Sequence, residues 1–354
     1  MALTRTPEHG GPDALGVPLH DFSTNANACG PCPQAVAALQ RADAARYPDP
    51  AYTALRQALG AFHGVAASRI VVAASASEFI HRVTALAARR GARAVRLPAH
   101  GYGDYARAAA AWGLATVADG PGAPMPAGPT PALHWACEPS SPLGQEDAAL
   151  APGCAVPQGV LQVVDRAYAP LRLHGTPRPL PLTAWQLWTP NKALGLTGVR
   201  AAYAIAPPAC EEAVAALHAL APSWPLGGHG VALLQAWTEP ATQQWLSASL
   251  GTLRDWKAAQ IDLCTALGWP VQPGSLANYF TARLPQALAA DMPATLAALR
   301  AQGIKLRDCA SFGLPGQVRL GVLGPDAQAA LGGAVLAADL PAAGDVGSRA
   351  LDGG

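Results

Sequence analysis

The residues that could do chemistry gather in one run, Leu187 to Tyr203, reading LWTPNKALGLTGVRAAY. It begins apolar, breaks at Pro190, presents Lys192, and passes Gly195, Gly198 and Arg200 before turning apolar again. A lysine held among apolar neighbours loses ammonium solvation, and its amine becomes a nucleophile toward a carbonyl. An arginine after two glycines can bring a planar fork of donors to a phosphate. An imine-forming amine beside a phosphate clamp suggests pyridoxal 5'-phosphate. The plainer alternative is a lysine snorkelling ahead of a buried strand.

Three further stretches could serve the same chemistry. Val163-Val164-Asp165-Arg166-Ala167-Tyr168 puts a carboxylate at a strand end and a phenol three residues on. A carboxylate against a pyridine nitrogen keeps that nitrogen protonated and the ring an electron sink. Taken alone, such an aspartate is more often a turn or cap residue. Ala73-Ala74-Ser75-Ala76-Ser77-Glu78 joins a strand to a helix with small residues, so backbone N–H groups can approach an anion. Ser75 and Glu78 also read as an ordinary capping box, and the two readings are compatible. Tyr102 could lay its ring over a flat cofactor or simply be half-buried.

These pieces need a scaffold that places them together. Helices are expected over Gln34–Arg41, Ala51–Phe62, about 76–89 and Tyr102–Trp112. Strands are expected over Ile70–Val72, Ala94–Leu97, Ala132–Cys137, Val160–Val164, Ala184–Trp188 and Arg200–Ile205. Strands alternating with helices predict an α/β domain with a mostly parallel central sheet flanked by helices. Ligands of such sheets sit at the carboxyl ends of the strands, where Ser75–Glu78, Ser141, Asp165 and Lys192 all fall. Pro222–Gly230 reads as a hinge, and Val231–Leu267 as a long, broken helical stretch. After it come a strand (Leu276–Arg283), a helix (Met292–Arg300), strands at Ile304–Leu306 and Gln317–Val322, and a helix (Asp326–Ala337), a smaller α+β unit. Residues 1–32 read as an extended arm, and the Ala/Gly-rich tail from Pro341 as disordered.

Composition narrows the classes. The 354 residues are 51% hydrophobic and 13% charged, with net charge +1. No basic surplus points to nucleic acid and no basic amphipathic helix to a membrane. The start, MALTRTPEHGG, lacks the apolar core of a signal peptide, and a cytoplasmic protein is expected. Seven cysteines, an odd number, argue against a disulfide framework. Cys29-Gly30-Pro31-Cys32 has thioredoxin-like spacing, but the polar Ser23–Ala28 stretch before it is no strand, and no second ligand pair suggests zinc.

The succession of these pieces resembles the fold-type I pyridoxal-phosphate enzymes of the class I/II aminotransferase family, over about residues 9–325. His9-Gly10-Gly11 followed by Asp21-Phe22-Ser23-Thr24-Asn25-Ala26-Asn27 is similar to the family's arm pattern HGG…DFSxNxN. Lys192-x-x-Gly195-Leu196-Thr197-Gly198-x-Arg200 matches K-x-x-G-L-x-G-x-R. Arg307-Asp308-Cys309-Ala310-Ser311-Phe312-Gly313-Leu314, followed by Arg319-Leu320, resembles RDCxxFGL…xRL. Within the family the pattern is most similar to the threonine-phosphate decarboxylases of cobalamin synthesis, relatives of the histidinol-phosphate aminotransferases.

The resemblance implies an arm (1–32), a large cofactor-binding domain (33–225), an interdomain helix with a small domain (226–340), and a tail (341–354). It implies that Lys192 carries pyridoxal 5'-phosphate as an imine, Asp165 pairs with the ring nitrogen and Tyr168 approaches the ring hydroxyl. Arg200, Ala76, Ser77 and Thr189 would hold the cofactor phosphate, and Tyr102 would stack on the ring. Tyr47 would reach the cofactor phosphate of a neighbouring subunit, which implies a homodimer. Arg319 would bind the substrate carboxylate, with Arg307, His9 and Asn27 around a phosphorylated amino-acid substrate. The implied activity is decarboxylation of L-threonine O-3-phosphate. The alternatives are a histidinol-phosphate-type aminotransferase using 2-oxoglutarate and a non-catalytic cofactor-binding protein, the last disfavoured by the lack of a DNA-binding segment before residue 30. Three departures stand out. Pro139-Ser140-Ser141-Pro142-Leu143-Gly144 replaces the family's PNNPTG, so Ser141 stands for the asparagine that bonds the ring hydroxyl. Asn191 replaces the serine before the lysine, and Ala73 and Ser75 replace glycines.

Overall fold

The computed structural model describes residues 9–118, 132–154 and 156–337. The first eight residues and the tail from Pro341 lie outside the described residues. The arm carries β1 (His20–Asp21) and leads into α1 (Pro33–Gln40) and α2 (Thr53–His63). Then follow β2 (Ile70–Ala73), α3 (Ala76–Arg89), β3 (Ala94–Leu97), α4 (Gly103–Ala111), β4 (Ala115–Ala118), β5 (Leu133–Cys137), β6 (Leu161–Asp165), β7 (Trp185–Trp188) and β8 (Ala202–Ile205).

These strands form a seven-stranded sheet in the order β2-β8-β7-β6-β5-β3-β4. All pairings are parallel except those of β8, which runs antiparallel to both β2 and β7. The inner strands read as continuous apolar runs because helices cover both faces. In β2, Val71 and Ala73 face a core with Phe79, Ile80 and Val83 of α3. Ile70 and Val72 alternate to the other face and meet Leu55 and Leu59 of α2.

Beyond the sheet come α5 (Glu211–Ala219), α6 (Gly228–Thr238) and α7 (Pro240–Ala266). The expected broken helical stretch divides at Pro240, which fits the first turn of a helix but not its interior. After α7 come β9 (Tyr279–Arg283), α8 (Gln286–Ala289), α9 (Met292–Ala301), β10 (Ile304–Lys305), β11 (Arg307–Asp308), β12 (Gln317–Gly321) and α10 (Pro325–Ala337). β11, β12 and β9 form an antiparallel sheet in that order.

The pattern reading missed β4 and α5, and the short β1, α8 and β11. β4 is a mostly exposed edge strand of sequence ATVA, without the alternation that marks a half-buried strand. α5 is nine residues of alanine-rich sequence with a narrow apolar stripe. The strand expected from Leu276 begins only at Tyr279, because the backbone before it bonds elsewhere: Leu276 N–H donates to Gly144 and its carbonyl accepts from Leu173. The arm is tied down rather than free. β1 pairs in parallel with β10, and Asp13 forms ion pairs with Arg300 and Lys305. The bond from Arg300, then that from Lys305, holds the Asp13 carboxyl well below the usual carboxylate range.

Candidate active site

The carboxyl ends of β5, β6 and β7 open into a cavity of about 620 Å³. β6 delivers Asp165 to its floor, 4% exposed. Tyr105 donates its phenol to Asp165 Oδ2 (2.8 Å), and the Ala167 N–H donates to Oδ1 (2.9 Å). Burial raises the Asp165 carboxyl above its ordinary value, against the pull of the Lys192 charge. The turn after β7 delivers Lys192, whose Nζ stands 5.1 Å from the centre of the Tyr168 ring. The arm locks that turn, since the Asn27 N–H donates to the Lys192 carbonyl (2.9 Å). Gly195 has φ +66°, and a Cβ there would lie 2.6 Å from the Gly30 carbonyl oxygen, so only glycine fits.

The start of α3 brings Ala76 and Ser77 to the cavity wall. The expected capping box is half-formed. Ser75 Oγ accepts from the Glu78 N–H (3.1 Å), while the Glu78 carboxylate accepts from Ala74 instead of Ser75. Ser77 Oγ shares a 3.1 Å hydrogen bond with the Tyr102 phenol, which burial holds above its ordinary value. Arg200 precedes β8 rather than lying in a strand as expected. Because β8 is antiparallel to its neighbours, its leading end lies at the carboxyl edge of the others, and Arg200 meets Thr189 and Lys192 on the cavity wall.

The opposite wall comes from the arm and the three-stranded sheet. Arg307 and Arg319 stand opposite each other in register and share the Phe312 ring, at 4.8 and 5.7 Å. Arg319 donates to Ser141 Oγ (3.2 Å) and to the Ser23 carbonyl (2.9 Å). Arg307 donates to Ser311 Oγ (2.8 Å) and to the Asp308 carbonyl (2.8 Å). His9 is exposed at the rim, 6.3 Å from the Tyr102 ring.

Twelve of the expected residues thus line one cavity: His9, Ala76, Ser77, Tyr102, Ser141, Asp165, Tyr168, Thr189, Lys192, Arg200, Arg307 and Arg319. Two do not. Asn27 is buried behind the lysine turn, with its amide donating to the Ala193 carbonyl and to Ser249 Oγ. Asn25, two residues earlier, lines the cavity instead; it is 1% exposed, with neither amide atom hydrogen-bonded. The signal was present in the DFSTNAN run, but the run does not say which asparagine faces in. Tyr47 is 77% exposed, away from this cavity, stacked on Trp224 at 4.4 Å. Tyr105 was also missed; it lies on the same helical face as Tyr102, three residues on. The contact of Ser141 with Arg319 was not anticipated either. α1 begins after Cys32 and not within the motif, no strand directly precedes Cys29, and burial raises its thiol, opposite to the shift of a redox thiolate.

The residues present fit pyridoxal phosphate. A buried carboxylate that keeps acceptor capacity faces the cavity, a lysine amine stands beside it, and a helix start with Arg200 offers an anion site. Fold and site together define a lysine-centred pyridoxal-phosphate scaffold. The chain belongs to the aminotransferase class I and II family, whose model matches residues 17–119 and 139–330.

Among its relatives, histidinol-phosphate aminotransferase of Hyphomonas neptunium is 29% identical over 341 residues, covering 89% of this chain and 88% of that one. The enzyme of the same name from Thermobifida fusca is 28% identical, covering 90% and 89%. The structure of histidinol-phosphate aminotransferase from Sinorhizobium meliloti, solved in complex with pyridoxal-5'-phosphate, matches with a TM-score of 0.78 at 20% identity, covering 94% and 97%. L-threonine-O-3-phosphate decarboxylase from Porphyromonas gingivalis matches with a TM-score of 0.68 at 19% identity, covering 89% and 98%. At these identities the two structures speak to the fold. Among the described residues no helix is long and apolar enough to cross a membrane.

Proposed function

We propose that this pyridoxal-phosphate enzyme decarboxylates L-threonine O-3-phosphate to (R)-1-amino-2-propanol O-2-phosphate, in the cytoplasm and for cobalamin synthesis. The observation that carries the reading is the substrate wall. The arm lays His9 and Asn25 on the same cavity as two side-by-side arginines, a set suited to a small molecule with both a carboxylate and a phosphate. The HGG arm and the RDC…FGL segment that build this wall are the motifs most similar to the decarboxylases.

When bound, pyridoxal phosphate supplies an electron-accepting ring for the pair left behind as a bond at the substrate α-carbon breaks. Lys192 would hold the cofactor through its amine, and the same amine would give or take a proton at the substrate α-carbon. Asp165, oriented by Tyr105 and the Ala167 N–H, keeps its charge toward the ring nitrogen. Tyr168 would serve the cofactor's ring hydroxyl and Tyr102 the face of its ring. Ser77, the Ala76 turn, Thr189 and Arg200 take the cofactor phosphate. Arg319 binds the substrate carboxylate, while Arg307, His9 and Asn25 take the substrate phosphate. By orienting the substrate, these anchors would decide between loss of CO2 and loss of the α-hydrogen.

Tyr47 belongs to the same proposal. Its exposure, away from its own cavity, supports a role at the cofactor phosphate of a second copy in a homodimer whose subunits divide into domains at about residues 32, 225 and 340. A second reading is favoured by the names of the curated relatives: transamination of histidinol phosphate with 2-oxoglutarate. Product analysis with each substrate separates them. CO2 from threonine phosphate without a keto acid supports the decarboxylase, and glutamate formed from 2-oxoglutarate and histidinol phosphate supports the aminotransferase.

A further inference from the structure

We propose that Lys257, outside the cavity, is a positioning residue that sets the substrate-carboxylate arginine by anchoring the chain segment behind it. The inference rests on the reading of Arg319 above. Lys257 lies within α7, and only 3% of it is exposed. Its ammonium donates to the Ser275 carbonyl (2.7 Å), Ser275 Oγ (3.1 Å) and the Ala277 carbonyl (2.8 Å). Three N–H groups meet three neutral oxygens, with no carboxylate among these partners. Burial lowers its pKa from the ordinary lysine value to about 8. A buried ammonium is costly to desolvate, and filling the space alone would be done better by an apolar side chain. What the charge adds is a three-way hold on residues 275–277.

That segment is the back of the site. The Leu276 N–H donates to the Gly144 carbonyl (2.8 Å), and Gln145 Nε2 donates to the Pro273 carbonyl (2.7 Å). From β9, Tyr279 donates its phenol to the Ser140 carbonyl (2.7 Å), and Thr281 Oγ1 donates to the Pro142 carbonyl (3.0 Å). The fit leaves no slack, since a Cβ on Gly144 would lie 2.5 Å from Ser275 Oγ. The loop held by these four bonds carries Ser141, whose hydroxyl accepts from Arg319 Nη1 (3.2 Å). Ala277 also packs with Tyr168 and Tyr279. Contact therefore runs from Lys257 through residues 273–281 to the Ser140–Gln145 loop and on to Arg319. Neither Lys257 nor Ser275 touches the cavity.

The test uses the pyridoxal-phosphate-loaded enzyme with Lys257→Met and, as a milder change less exposed to misfolding, Ser275→Ala. For Lys257→Met the expected result is a KM for L-threonine O-3-phosphate raised about tenfold with kcat within about threefold, and a visible spectrum unchanged. The Leu276 and Gly144 amides should exchange hydrogen about tenfold faster. Ser275→Ala should move both readouts the same way, about threefold. Wild-type KM and wild-type exchange at these two amides, in either folded variant, would overturn the inference. A lower melting temperature with both readouts unmoved would overturn it too, because Lys257 would then be merely structural. If wild-type protein turns over no phosphorylated amino acid, the substrate reading fails by itself, and the exchange measurement still decides whether Lys257 holds the loop.

Discussion

The two walls of the cavity are built by different means. On the cofactor side, Ser77, Asp165 and Lys192 each sit within a few residues of a strand end in one sheet, which brings them together, and the arm adds the bond from Asn27 that braces the lysine turn. On the substrate side, Arg319 bonds partners 178 and 296 residues away in sequence, at Ser141 and Ser23. One wall is local and set by topology. The other is assembled from the arm, a loop of the seven-stranded sheet and a separate three-stranded sheet. The difference teaches where each wall can be damaged: the first chiefly at its own residues and at the arm contact behind Lys192, the second at several distant segments.

Substitutions on the cofactor wall should have the largest effects. Lys192→Ala should abolish the visible absorbance and borohydride fixation of the loaded cofactor and lower turnover by at least roughly 10⁴-fold. Persistence of both signals would remove Lys192 from its role. Asp165→Ala should lower kcat by roughly 10³-fold while cofactor remains bound, and a variant within a few-fold of wild type would contradict the pairing with the ring nitrogen.

The substrate wall should answer differently. Arg319→Ala and Arg307→Ala should each raise KM for threonine phosphate by roughly 10²-fold, since each removes one partner of a charge-assisted contact. Repeating both with unphosphorylated L-threonine sharpens the distinction. The Arg307→Ala penalty should vanish and the Arg319→Ala penalty remain. The opposite pattern would exchange the two arginines' duties.

How much could be read from sequence follows the same division. Lys192, Asp165 and Ser77 were legible because short motifs at strand ends carry their own geometry, and strand alternation gave the sheet that joins them. Asn25 was not legible, because nothing in DFSTNAN says which asparagine turns inward. That depends on Asn27 being consumed by Ala193 and Ser249. Ser141 as the partner of Arg319 was equally hidden, since it requires knowing that β12 passes the Ser140–Gln145 loop. β4 and α5 were missed because alanine-rich segments at the edge carry little periodicity. The antiparallel course of β8, which brings Arg200 into place, is a tertiary fact with no local signal.

A smaller effect should come from the core behind the cofactor wall. His63 bonds the Tyr203 phenol at 2.7 Å, and burial, then the Arg166 charge, pushes its imidazole down to about 4. The unfolded chain binds this proton near pH 6.5 and the fold only near 4. The contribution to stability is therefore present above pH 6.5 and lost as the pH falls toward 4, by about 3 kcal/mol. Chemical denaturation at pH 7 and pH 4.5 should show a smaller acid-induced loss for His63→Asn than for wild type, and equal losses would contradict the assignment.

The central claim is the reaction, and the direct measurement is CO2 release when the loaded protein meets L-threonine O-3-phosphate with no keto acid present. Catalytic release, many turnovers per site and matched by amino-propanol phosphate, is the predicted result. No CO2, with the protein instead forming glutamate from 2-oxoglutarate and histidinol phosphate, would contradict the decarboxylase.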